Sequence, residues 1–354
     1  MQLRLSVMLA LVVLPGYCAD WNPRLAAQYL DSRQEKWFSW PTANASGTPC
    51  ISCHTGTTYL LVRPMLRRAL GESQRTTFET GLLNSLRTRV SRKTPKELFP
   101  KSKDGYAAEA AGVESIFAAL FLATENSQAA LSPEAEQAFD RLWSLAIRDG
   151  SAKGAWPWFS LELDPYEMPE SSYYGASLAA LAIGSAPREY RERPDVRERV
   201  AALTGYLQRE LPSQPLQNRL MALWASSRLP EALPPAIRKA LIDAAWRHQQ
   251  PDGSWTIDSL GAWKEHPQAP KSAGNSNYAT GLTAYVLETA GVPRSDARLK
   301  RALDWLRRRQ DPKEGYWDGE SMNKAYPADS MMVLFMRDAA TSFASMALLA
   351  RDNQ

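Results

Sequence analysis

An all-α fold of paired helices is the architecture this sequence predicts, and three observations predict it. Apolar residues recur at helical spacing through most of the 354-residue chain. Almost no segment alternates in the way a half-buried strand does. One helix-end pattern also occurs three times. Trp143 precedes Asp149-Gly150 and Gly154-Ala155-Trp156; Trp246 precedes Gln250-Pro251-Asp252-Gly253-Ser254-Trp255; Trp305 precedes Gln310-Asp311 and Gly315-Tyr316-Trp317. A repeat of helix, Gln-Asp-Gly turn and tryptophan at intervals of roughly 60 to 100 residues implies stacked copies of one helical unit, with a less obvious copy between the first two. Glutamine bonds exposed backbone at a helix end, glycine permits the left-handed turn, and tryptophan stacks across to the neighbouring hairpin.

In chain order, Met1 to Arg4 carries one positive charge, Leu5 to Leu14 is apolar, and Pro15-Gly16-Tyr17-Cys18-Ala19 supplies a turn and small residues. Residues 1–19 therefore read as a signal peptide. The apolar run is about ten residues, too short for the roughly 30 Å of bilayer hydrocarbon, so cleavage into the periplasm without a transmembrane anchor is expected. Cys18 is an alternative lipidation point, but Tyr17 places a bulky ring where lipoprotein signals want a small residue. Residues 20–104 read as a haem c attachment segment with the first helices, at 59–70 and 74–89. Trp21, Trp37, Phe38 and Trp40 in this segment either pack on the porphyrin or seal it onto the main domain. Residues 105–354 carry predicted helices at 110–124, 133–147, 173–184, 194–209, 217–228, 234–249, 278–290, 297–309 and 338–351. Ser132-Pro133 opens one of these, Gly291 closes another, and Pro212 ends the run from Leu203 to Leu211.

Chemistry is concentrated in Thr48-Pro49-Cys50-Ile51-Ser52-Cys53-His54, which contains C-x-x-C-H, the attachment signature of a c-type haem. Cys50 and Cys53 would form the two thioethers and His54 the proximal iron ligand, giving one haem c per chain. The motif uses both cysteines left after signal removal and one of only three histidines, behind an export signal. A disulfide-type redox pair, a zinc site and a chemically inert pair are the alternatives; zinc lacks further cysteines, and a thioredoxin-like redox site would want a βαβ context that does not surround the motif.

The sixth iron position is open in the sequence. His266, in Ala262-Trp263-Lys264-Glu265-His266-Pro267, is a distal candidate, with a solvated loop histidine as the plain alternative. His248 stands near a helix end, where the helix dipole accounts for it. Met65 follows the motif closely, and Met168, Met322, Met331, Met332 and Met336 are available at a distance. Catalytic candidates are Tyr173, Tyr174 and Tyr278, as proton donors or radical carriers, and Asp338 near the start of the last helix. Aromatic packing and helix capping are their structural explanations, and capping serves equally for Asn275, Thr280 and Thr341. Trp156-Pro157-Trp158 and the acidic segment Glu162 to Glu170 form an insertion able to wall a pocket.

The Gln-Gly-Trp repeat, strongest in Gln249 to Trp255, resembles the squalene cyclase and prenyltransferase superfamily over about residues 105 to 351. It is also similar to a group of exported bacterial cyclase-like proteins with C-x-x-C-H ahead of the toroid. The resemblance implies an α/α toroid of inner and outer helices with a cavity at one end. Neither parental reaction carries over: no Asp-x-Asp-Asp acid is present, and no cysteine lies in the toroid to ligate zinc. The scattered formal charge of +4 makes no nucleic-acid stripe. What remains is an oxidoreductase acting on an apolar or terpenoid-like small molecule, an electron-transfer cytochrome whose toroid docks a periplasmic redox partner, or a lipid-binding or structural module.

Overall fold

The computed structural model describes residues 21–45, 47–125, 130–271 and 274–350. The signal-peptide reading and Cys18 lie outside the described residues.

The Asn22 side chain accepts the backbone N–H groups of Arg24 and Leu25, and Pro23 occupies the first helical position, which together open helix α1 (Pro23–Ser39). Then follow α2 (Gly56–Ala69), α3 (Thr77–Val90), the single turn α4 (Pro95–Leu98), α5 (Asp104–Glu125), α6 (Pro133–Leu145), α7 (Ser171–Ser185) and the single turn α8 (Arg188–Arg191). The chain continues through α9 (Pro194–Glu210), α10 (Leu216–Ser226), α11 (Pro235–Arg247), α12 (Asn277–Thr289), α13 (Ala297–Arg307) and α14 (Met331–Leu349). The only strands among the described residues are two-residue pairs, Asn44–Ala45 on Thr48–Pro49 and Trp255–Thr256 on Asn275–Ser276.

Two kinds of helix alternate. Helices α5, α7, α10, α12 and α14 are apolar on nearly every side and buried along most of their length, as befits helices enclosed on all faces. By contrast α11 buries only Leu241 and Ala245, and α13 keeps one apolar stripe around Leu299, Leu303 and Leu306. Inner neighbours run α2–α14–α12–α10–α7–α5, and α3 touches both α2 and α5. The chain thus makes an α/α toroid; taken in chain order, outer helix first, its hairpins are α1/α2, α3/α5, α6/α7, α9/α10, α11/α12 and α13/α14, and the outer helices α6, α9, α11 and α13 pack on the inner helices α5, α7, α10 and α12 of the preceding hairpin. Helices α5 and α14 are long and apolar enough to cross a membrane, but both are largely buried in this ring.

The repeated tryptophans lock outer helix to loop. Trp156, Trp255 and Trp317 are fully buried, and their indole N–H groups donate to the carbonyls of Leu142, Ala245 and Leu306 near the ends of α6, α11 and α13. Gly253 and Gly315 adopt φ of 98° and 82°, and a Cβ on either would meet backbone of the next outer helix, at Arg301 and Leu25. Gln249 donates to the carbonyls of Gly253 and Arg298, and Gln310 to those of Gly315 and Asn22. The last repeat therefore closes onto α1, and the ring is complete.

Three expectations need correction. The α9–α10 connection is only residues 211–215 and contains neither Gly nor Trp, so the fourth copy of the turn is absent. The turn-rich reading of residues 20–60 hid α1. The last helix begins at Met331, where the Ser330 side chain accepts from Val333, and Asp338 lies well inside it instead of near its start. Asp338 is fully buried, ion-paired to Arg33 of α1 at 2.9 Å and bonded by Tyr29, so it joins the first hairpin to the last.

Candidate haem attachment site

The motif occupies the connection between α1 and α2, the first of the outer-to-inner loops. Ser52 organises it: its hydroxyl accepts the N–H groups of His54 and Thr55, and its carbonyl accepts from Thr57, which starts α2 immediately after the motif. The Cys50 carbonyl is held by the Trp37 indole at 2.9 Å and its N–H by the Ala43 carbonyl. With the backbone bound, both sulfur atoms and the imidazole are left for the cavity beside them. The cysteines are not joined to one another.

That cavity measures about 460 Å³ and collects the outer-to-inner loops and the first turns of inner helices at one end of the ring. Trp37, Trp40, Cys50, Cys53 and His54 come from the first hairpin; Phe99, Tyr106 and Glu114 from the second; Phe159, Leu161, Tyr166 and Glu167 from the loop before α7. Ile257 and Tyr278 come from the fifth, and Glu320, Tyr326, Phe335 and Met336 from the sixth. Only the short α9–α10 loop contributes nothing. Tyr106, Leu161, Leu163 and Met332 at the wall are exposed large hydrophobics. Among the described residues the carboxylates in the lining are Glu114, Asp164, Glu167 and Glu320, and no lysine or arginine joins them.

His54 stacks on Phe335 with centroids 5.2 Å apart and meets Tyr166 edge-on at 5.6 Å. Its Nε2 lies 3.3 Å from Glu167 Oε1, and Cys53 Sγ is 4.0 Å from the same oxygen. Cys53, His54 and Glu167 thus gather three metal-ligating atoms within 4.8 Å of one another. Burial pushes the Cys50 thiol up to about 12, helped by the Glu114 carboxylate. A dithiol redox centre needs a thiol of lowered pKa, so that alternative is poorly served. Glu320 is pushed up to about 7 by burial while its carboxylate accepts the Ser276 hydroxyl at 2.8 Å.

A fit to haem c can be tested on these residues. Two unpaired thiols and an imidazole line one mainly apolar cavity within the size range of small-molecule sites, and the exposed rim offers apolar surface that a flat macrocycle would cover. The residues fit the group.

Among the other predicted residues, Tyr278 reaches the cavity, and its ring meets Tyr166. Tyr174 stands behind Tyr166 at 5.3 Å, and Tyr173 donates to the Leu207 carbonyl, away from the cavity. Burial raises the pKa of all three. Met322, Met332 and Met336 line the cavity, whereas Met65, Met168 and Met331 do not. His266 is half-buried outside the lining, beside Glu162 and Asp164, and its Nε2 has no partner. His248 is exposed at the end of α11. Thr280 and Thr341 accept the backbone N–H of Trp255 and Trp317, and Ser276 caps α12. Glu167 and Tyr166 were missed as site residues; the acidic insertion 162–170 was their only sequence signal.

Fold and site together define a class: an α/α toroid with a c-type haem attachment segment in its first loop. A solved structure of a UGL variant with the saccharide dGlcA-Glc-Rha-Glc is similar to this chain, with a TM-score of 0.53 at 14% identity, over 92% of this chain and 95% of that one. The likeness concerns the fold. No family model and no curated protein matches the chain.

Proposed function

We propose that this chain is an exported c-type haem protein that acts as an oxidoreductase on an apolar, terpenoid-like small molecule held in the toroid cavity. One observation carries the reading: both motif cysteines and His54 face the same cavity that the inner helices and their loops build for a ligand. Cys50 and Cys53 hold the porphyrin and His54 its iron; haem c supplies one-electron chemistry. The remaining walls select the substrate. Phe159, Ile257, Met322 and Phe335 offer apolar surface, while Asp164 and Glu167 give the lining an acidic character that disfavours an anionic ligand; Glu114 is offset by its 2.7 Å ion pair with Arg89. The kinship to squalene cyclase-like toroids and the periplasmic location belong to the same proposal.

Electron transfer is the second reading, favoured by the position of the site at an open end of the ring, where the rim residues Tyr106, Leu161, Leu163 and Met332 that would flank the haem are exposed. Absorption and electron paramagnetic resonance spectra of haem-matured protein, ferric and ferrous, with and without carbon monoxide, separate the two. A high-spin ferric signal with ready carbon monoxide binding supports the oxidoreductase. A low-spin spectrum indifferent to carbon monoxide supports electron transfer, and absence of covalent haem sinks both.

A further inference from the structure

We propose that Glu167 is the sixth ligand of the iron, an assignment that rests on the haem reading above. His54 Nε2 faces Glu167, whose Oε1 lies 3.3 Å from it within hydrogen-bonding distance. An iron on Nε2 takes the line that this hydrogen bond now occupies. Bonds of the length that first-row metals make to imidazole and carboxylate, roughly 2.0–2.2 Å each, need about 4 Å between nitrogen and oxygen. The present 3.3 Å falls short of that by somewhat under 1 Å, so a small side-chain adjustment would let His54 and Glu167 both hold the iron.

Two further observations point the same way. The carboxylate is only 12% exposed, its ion-pair partner among the described residues is His54, and no lysine or arginine lines the cavity. A buried carboxylate with so little compensation is costly, and a cationic iron offsets that cost. The backbone is also fixed, since Leu161 N–H donates to the Glu167 carbonyl and Glu167 N–H to the Leu163 carbonyl, so the side chain is presented from a closed hairpin. His266, the distal candidate from the sequence, lies outside the cavity lining.

A carboxylate oxygen is a weak-field ligand, so Glu167 would hold ferric iron exchangeably and yield to an incoming small molecule. The test uses the full chain matured with haem, as wild type and as Glu167→Ala, Glu167→Gln and Glu167→His. Covalent haem content is measured first by mass spectrometry, and its absence from the wild type overturns the haem reading itself. With haem attached, Glu167→Ala is expected to tighten imidazole binding by about tenfold, because an internal competitor is gone. Glu167→His is expected to turn the ferric spectrum low-spin. Glu167→Gln keeps the side-chain volume and carries the imidazole titration if the alanine variant does not accumulate. Loaded variants whose ferric spectra match the wild type and whose imidazole affinity moves by less than about twofold overturn the assignment.

Discussion

The first outer-to-inner loop and the three tryptophan loops occupy the same position in their hairpins, yet they are held in opposite ways. In the loops after α6, α11 and α13, a buried loop tryptophan reaches back and donates to a carbonyl of the helix just ended. In the first loop the tryptophan belongs to the helix: Trp37 of α1 reaches forward and donates to the carbonyl of Cys50. A clamp made by a loop's own ring fills the loop with packing, whereas a clamp made from the helix leaves the loop free to present two sulfur atoms and an imidazole. One scaffold position thus carries a tryptophan staple three times and the attachment motif once, while the stapled loops reach the cavity only through residues beyond their tryptophans, such as Glu167, Ile257 and Glu320.

The sharpest way to break that distinction is to remove each side's defining groups. Cys50→Ala/Cys53→Ala is expected to abolish covalently retained haem, read by mass spectrometry, while the toroid still unfolds cooperatively. Trp255→Ala should do the reverse. Loss of a fully buried ring is expected to cost about 3–5 kcal/mol in denaturant unfolding, with haem still attached to the folded fraction. If both variants lost haem and stability together, the first loop would be no more separable from the scaffold than the others.

What the sequence made legible follows the same line. C-x-x-C-H and the Gln-Gly-Trp turns are local patterns, so both the attachment residues and the repeat could be read without knowing what packs where. Helix α1 escaped because its aromatics suggested a turn-rich extension, although Asn22-Pro23 is an N-cap followed by proline and Ala26, Leu30 and Trp37 share a buried face. Glu167 is 113 residues from His54 in sequence, inside a long irregular loop, and only ring closure brings the two together. Asp338 was placed near a helix start because the run Met331 to Met336 gave no sign that Ser330 already caps the helix. Periodicity reports burial along one element; it does not report which loops converge.

A smaller effect tests how far the part of a stapled loop that reaches the cavity departs from the tryptophan that anchors it. Glu320 lines the cavity, and its pKa rises from an ordinary value near 4.5 to about 7. Between those values the folded protein keeps a proton that the unfolded chain has released, so stability falls as pH rises across this window. Outside the window Glu320 contributes no slope. With allowance for its partial exposure the loss is about 2 kcal/mol, and Glu320→Gln is expected to flatten it, as read from unfolding free energies at pH 5 and about pH 8. An unchanged slope in the variant would assign the pH dependence to another group.

The finest test returns to the reversed clamp itself. Trp37→Phe keeps a ring against Trp40 and Phe335 but deletes the only side-chain donor to the Cys50 carbonyl among the described residues. One such hydrogen bond contributes about 1 kcal/mol to stability, so the unfolding midpoint should move little. Its effect on the site should be larger than its effect on the fold, because the bond it deletes is one of the two that hold the Cys50 backbone in place. The expected result is a small stability loss with a clear drop in the fraction of chains carrying two thioethers, counted by mass spectrometry of tryptic haem peptides. Trp317→Phe deletes the corresponding bond in a stapled loop and should leave that fraction unchanged. Equal haem yields in the two variants would show that the direction of the clamp has no bearing on the chemistry of the loop.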